Sequence, residues 1–131
     1  MRSVILLAMF ALAPLSAMAA EAPFAGDWRI VEIHGAPAFD AAKTSFKGDA
    51  DGRISSTVGC NRIVGGPKVD GAKATFAQMA ATMMACPPPL DGVERAYLAA
   101  LEAVRTWRKE EGGLALLGAD GGTLVRLQPE E

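Results

Sequence analysis

The feature that most constrains this chain is how often its backbone is made to reverse. Gly and Asp gather at Gly48-Asp49-Ala50-Asp51-Gly52, Asp70-Gly71, Glu111-Gly112-Gly113 and Ala119-Asp120-Gly121-Gly122, and Gly65-Gly66-Pro67 breaks the chain between them. Glycine reaches the positive-φ conformations that tight turns need, and Asp side chains bond nearby backbone, so each cluster reads as a turn. The intervening runs are short and β-prone: Asp27 to His34, Thr44 to Lys47, Arg53 to Val58, Lys73 to Phe76, Thr106 to Lys109, Leu114 to Leu117 and Thr123 to Leu127. These amount to about seven short strands, the last three forming a meander. In the first, Trp28 and Ile30 are expected on one face and Arg29, Val31 and Ile33 on the other.

One stretch follows a different period. Val93, Ala96, Tyr97, Ala100, Leu101 and Val104 recur at helical spacing behind Asp91, a good N-cap, and Glu94 stands three residues later as in a capping box. Residues 77–86 are Ala-rich but run into Pro87-Pro88-Pro89, which no helix can continue through, so they are expected to be mostly extended or irregular. The fold class that follows is α+β: a mainly antiparallel curved sheet with one main helix packed on or across it.

Composition bears on the compartment. The chain is 50% apolar over 131 residues, and the excess is concentrated at its start. Arg2, the apolar stretch Val4 to Leu15 and the small-x-small site Ala17-Met18-Ala19 read as a signal peptide over residues 1–19, leaving a single domain over 20–131. An apolar stretch of about 12 residues is too short to span a bilayer, so no membrane span is expected. No cysteine precedes Cys60 to carry a lipid, and the expected location is periplasmic or secreted. Thirteen basic and 15 acidic residues without a basic run exclude a nucleic-acid partner.

Export lets Cys60 and Cys86 persist as a disulfide, which would close a loop worth about 3 kcal/mol by chain entropy. Two buried thiols or a redox pair are the alternatives, although the spacing lacks the local dithiol arrangement that lowers a thiol pKa. Other chemistry is scarce. A Ser-His-Asp arrangement would have to use His34, the only histidine, which sits in a turn without a nucleophile-elbow motif. The Cys and His spacings suit no structural zinc site, and Gly65-Gly66-Pro67-Lys68 lacks phosphate-loop spacing. Asp49/Asp51 and Glu110/Glu111 fall in turns and are expected to be solvated. No catalytic residue, metal or cofactor is therefore expected. Met79, Met83 and Met84 suit core filling or an adaptable binding surface, with core the simpler reading. Trp28, Tyr97 and Trp107 read as core aromatics that could instead line a cavity.

Five motifs stand in order along the chain: Gly26-Asp27-Trp28-Arg29-Ile30, Gly59-Cys60-Asn61-Arg62 followed by Gly65, Thr82-Met83-Met84-Ala85-Cys86, Glu94 in the helix, and Leu114-Ala115-Leu116. By these motifs the sequence, from Trp28 to the C-terminal hairpin, resembles the META domain family of HslJ-like proteins. The resemblance implies a small antiparallel β domain with one or two helices, found in envelope or secreted proteins associated with stress or antibiotic tolerance, with no established enzymatic reaction. The chain departs from the family pattern at Met83, where Arg or Lys is frequent, at Ile63, where an aromatic is frequent, and near Pro67, where Tyr is frequent. Gly59 suits a strand end, Asn61 can bond its neighbouring backbone, and Cys60 could tie that turn to Cys86. Trp28, Gly59, Asn61, Arg62, Gly65, Thr82 and Met84 are thus candidate structural or binding residues. The expected function is non-catalytic binding of an envelope protein or a small apolar ligand by a monomer. Alternatives are an enzyme inhibitor or lipid carrier, a thiol-disulfide oxidoreductase through Cys60 and Cys86, or a hydrolase through His34.

Overall fold

A computed structural model describes residues 22–130, so the leader expected at 1–19 lies outside the described residues. Ten strands are present among them: β1 (Gly26–Ile33), β2 (Ser45–Gly48), β3 (Ile54–Thr57), β4 (Ile63–Gly65), β5 (Lys68–Asp70), β6 (Lys73–Thr75), β7 (Ala80–Ala81), β8 (Thr106–Glu110), β9 (Gly113–Leu117) and β10 (Thr123–Pro129). They form one antiparallel sheet in the order β5-β6-β8-β9-β10-β1-β2-β3-β4-β7. The expectation of about seven strands is corrected by β4, β5 and β7. Each spans only two or three residues, too few for alternation to show in sequence, and each exists because a neighbouring strand supplies hydrogen bonds.

The helix α1 (Leu90–Ala103) lies against β1, β6 and β10 and closes the core. Its start differs from the capping-box expectation. Pro89 occupies the N-cap position without a side-chain cap bond, and Asp91 lies inside the first turn, its carboxylate accepting from Gly92 N–H and pairing with Arg95. The Pro run supplies the start, because proline tolerates the unbonded N–H positions of a first turn. Glu94 is thereby freed for another role. Val93, Glu94, Tyr97, Ala100 and Leu101 form the buried face, and Val104 at the C-cap is buried as well.

The strand β1 departs from simple alternation. Its pairing with β10 shifts between Ile30 and Glu32, so Val31 is an extra residue on the β1 side. A bulge of one residue inverts the phase of everything after it. Ile30 and Ile33, expected on opposite faces, are both buried in the core. In β9, Leu114 to Leu117 are all buried, which accounts for an apolar run without alternation. Arg108 and Arg126 flank Ala115 in register, and their aliphatic stems can cover it.

Two features tie sheet to helix and close one end of the core. The Ser56 hydroxyl donates to the Ser45 carbonyl at 2.7 Å, so the Tyr97 O–H donates to Ser56 Oγ at 2.7 Å. Burial pushes the Tyr97 phenol far above its ordinary pKa. At one end Phe24 packs at centroid distances of 6.2 Å from Phe46, 5.7 Å from Phe76 and 5.7 Å from Trp107. Of the three expected core aromatics Tyr97 is fully buried, while Trp28 and Trp107 are half-buried against the core.

Candidate functional site

Most of the motif residues converge on the side chain of Asn61, which is 3% exposed at the end of the β3–β4 connection. Its backbone N–H donates to Glu94 Oε1 at 2.9 Å and its Nδ2 to Glu94 Oε2 at 2.7 Å. Nδ2 also reaches the Met84 carbonyl at 3.1 Å, while Oδ1 accepts from Met84 N–H at 2.8 Å and from the Thr82 hydroxyl at 3.0 Å. Thr82 Oγ1 in turn accepts from Arg62 N–H at 3.0 Å, and Thr82 N–H donates to the Arg62 carbonyl. Asn61 was expected to bond its own neighbourhood. Instead it joins segments 23 and 33 residues away, because packing α1 against the sheet brings Glu94 to the same point.

Cys60 and Cys86 form a disulfide beside this network, with a Cα–Cα distance of 6.0 Å. The Glu94 Oε2 atom lies 3.7 Å from Cys86 Sγ. Gly59 adopts φ +120°, a conformation L side chains rarely take, and a Cβ there would meet Leu90 at the start of α1 at 3.5 Å. Gly65 serves a close approach: a Cβ would stand 2.5 Å from Met79 Sδ and 2.9 Å from the Gln78 carbonyl. Trp28 is held elsewhere, its Nε1 donating to the Phe24 carbonyl at 3.0 Å. The side chain of Arg62 is exposed.

The network and the disulfide therefore hold residues 82–86 through Thr82, the Met84 backbone and Cys86, while the side chains of Met83 and Met84 face outward. Met83 is 94% exposed and Met84 60% exposed. Only Met79 packs against the core, so the core reading of the three methionines fails at Met83 and Met84. Neither period nor composition marks the difference. The outward orientation follows from Asn61 capturing the Met84 backbone.

A second feature lies at the end of the sheet closed by the aromatic cluster. A cleft of about 570 Å³ opens between the β2–β3 turn, β5 and β8, lined among others by Phe24, Val69, Trp107, Asp49, Asp51 and Lys109. Trp107 is anchored by an Nε1 hydrogen bond to the Gly71 carbonyl at 2.8 Å, and Asp49 Oδ1 accepts from the N–H groups of Asp51 and Arg53, which holds the turn. Trp107 thus combines the two readings its sequence allowed, core aromatic and cavity wall: one part of it packs on the core while another faces the cleft. Apart from Trp107, sequence signals for this pocket are absent, since its walls come from four separated segments.

The remaining candidates sit apart. His34 lies exposed in the turn after β1. Glu110, expected to be solvated, pairs with Arg126 at 3.2 Å, and Arg126 also pairs with Glu32. The hydrogen bond that Arg126 Nε donates to the Glu110 carboxylate leads in pushing the Arg126 pKa upward. Among the described residues, the one group with metal-ligand proximity is Cys60, Cys86 and Glu94, and its two sulfurs are committed to the disulfide. No described helix is long and apolar enough to cross a membrane.

No curated protein matches the chain. The fold is similar to an NMR structure of a protein from Burkholderia xenovorans, with 23% identity, 80% of this chain and 81% of that one covered, and a TM-score of 0.63. It is also similar to a crystal structure of a DUF4847 family protein from Bacteroides vulgatus, with 14% identity, 82% and 94% covered, and a TM-score of 0.58. At such identities the likeness is one of fold. The Gly-Cys-Asn-Arg and Thr-Met-Met-Ala-Cys segments that meet at Asn61 agree with a further match, to the META domain model over residues 21–131, and the chain belongs to the META domain family.

Proposed function

We propose that this is an exported, non-catalytic binding domain of the cell envelope that takes a small apolar ligand into the cleft beside Trp107, in a role connected with stress or antibiotic tolerance. The observation that carries the reading is the cleft itself. Its volume of about 570 Å³ falls within the range of small-molecule pockets, and aromatic and aliphatic side chains make up much of its lining. The groups with chemical potential support a non-catalytic role. His34 stands alone in a turn, and the Asn61, Thr82 and Glu94 side chains spend their hydrogen bonds on one another and on the Met84 backbone.

The redox alternative is disfavoured by charge. A disulfide that exchanges readily leaves a stabilised thiolate, whereas the Glu94 carboxylate 3.7 Å from Cys86 Sγ opposes a negative sulfur. A second binding reading, docking of an envelope protein, is favoured by a separate observation: Met83 and Met84 are exposed on a backbone held still by Asn61.

Titration with the neutral dye N-phenylnaphthylamine tests the first reading. Saturable binding that quenches tryptophan emission is expected, and Val69→Trp, which narrows the cleft from an exposed strand, should abolish it. Binding unaffected by Val69→Trp, or no binding of any apolar probe, would overturn the cleft as the site.

A further inference from the structure

Resting on the reading of the cleft as a ligand site, we infer that its ligand class is an organic cation, an ammonium group carried on an apolar body. Two independent features of the walls point the same way. The first is charge: the β2–β3 turn sets Asp49 and Asp51 on one side of the cleft, against the single Lys109 on the β8 side. Asp49 is occupied in holding its turn, but the Asp51 carboxylate has no hydrogen bond or ion pair among the described residues. It is the acidic group left available to a ligand.

The second feature is aromatic. Trp107 stands half-buried in the wall, and its Nε1–H is spent on the Gly71 carbonyl, which leaves the ring system rather than the polar N–H for a ligand. Phe24 packs edge-on to Trp107 at an interplanar angle of 77° and backs it from the core. An aromatic face attracts an ammonium through its quadrupole and repels an anion, so the aromatic wall and the carboxylate discriminate in the same direction. Val69, Ile54, Pro23 and Pro67 supply apolar surface for the rest of the molecule. A free inorganic cation would use only the carboxylates. A neutral lipid would use only the apolar walls, whereas an alkylammonium uses both.

Calorimetric titration of the purified protein with octyltrimethylammonium, octyl sulfate and octyl glucoside separates these possibilities, with all three kept below their micelle concentrations. The ammonium is expected to bind about tenfold more tightly than the sulfate, with the gap narrowing as salt is added. Asp51→Asn should remove most of that preference and leave octyl glucoside binding unchanged. Asp51 is exposed and its side chain bonds nothing in the fold, so this variant should remain folded. Octyl sulfate binding as tightly as the ammonium, or an unchanged preference in Asp51→Asn, would overturn the cation assignment while glucoside binding kept the cleft reading alive. Failure of all three probes to bind would overturn the cleft reading together with the cation assignment.

Discussion

Asn61 concentrates more of the fold in one side chain than any other polar residue described. It satisfies a buried carboxylate, both backbone groups of Met84 and the Thr82 hydroxyl, so truncation strands the Glu94 carboxylate and releases the Met84 backbone and Thr82. Asn61→Ala is expected to cost about 3–5 kcal/mol, measured by denaturant unfolding, because the Glu94 carboxylate loses a side-chain donor in a buried site. Tyr97 makes a different kind of prediction. Its phenol is held neutral by burial, with a folded-state pKa above the ordinary value of 10.0. The folded state therefore binds this proton more tightly than the unfolded state does. Its contribution to stability is complete below pH 10 and is lost as pH rises through the folded-state pKa. Tyr97 is the only tyrosine, so tyrosinate absorbance reports it alone. We expect that absorbance to appear together with alkaline unfolding; a smooth titration near pH 10 in the folded protein would contradict the buried Tyr97–Ser56 pair.

The segments that meet at Asn61 illustrate how far the secondary structure was readable. The turn clusters were legible because glycine and Asp act locally, and they mark the reversals at 49–52, 71–72, 111–112 and 118–122 in the structure. The helix was legible from its period, but its start was not, since Pro89 and not Asp91 holds the N-cap. For β7 and the residues after it the Pro run marked an extended or irregular chain but not its pairing. Their conformation depends on β4, on Asn61 and on the disulfide to Cys60. Replacing both Cys60 and Cys86 by Ser should therefore cost about 3 kcal/mol in thermal or denaturant unfolding. It should also speed amide exchange at Met84 more than at Ile30 in β1. Equal stability of the double variant would refute the role of the bridge as a staple.

Ten strands in one open sheet leave two edges, and both are short. The β5 edge is three exposed residues with Lys68 and Asp70, and the β7 edge is Ala80–Ala81. Short edges with charged side chains resist edge-to-edge pairing. We accordingly expect the protein to sediment as a monomer at micromolar concentration; a concentration-dependent dimer would show that one of these edges, or the Met83/Met84 surface, is self-complementary. The two candidate surfaces are also built differently. The Met83/Met84 surface is held by the Asn61 network and the disulfide, whereas the cleft comes from the meeting of the β2–β3 turn, β5, β8 and the segment before β1.

Turn positions, the existence of the helix, the α+β class and the two cysteines could be read from the chain alone, because each rests on chemistry acting within a few residues. The motif residues Asn61, Thr82, Met84 and Glu94 were visible too, though not as one site. Their bonds cross 21 to 33 positions, and only the packing of α1 onto the sheet brings them within reach. The bulge at Val31, the outward Met83 and Met84, and the cleft beside Trp107 belong to the same class. Each depends on which strands become neighbours, and strands of two or three residues acquire a conformation only from the neighbours they find.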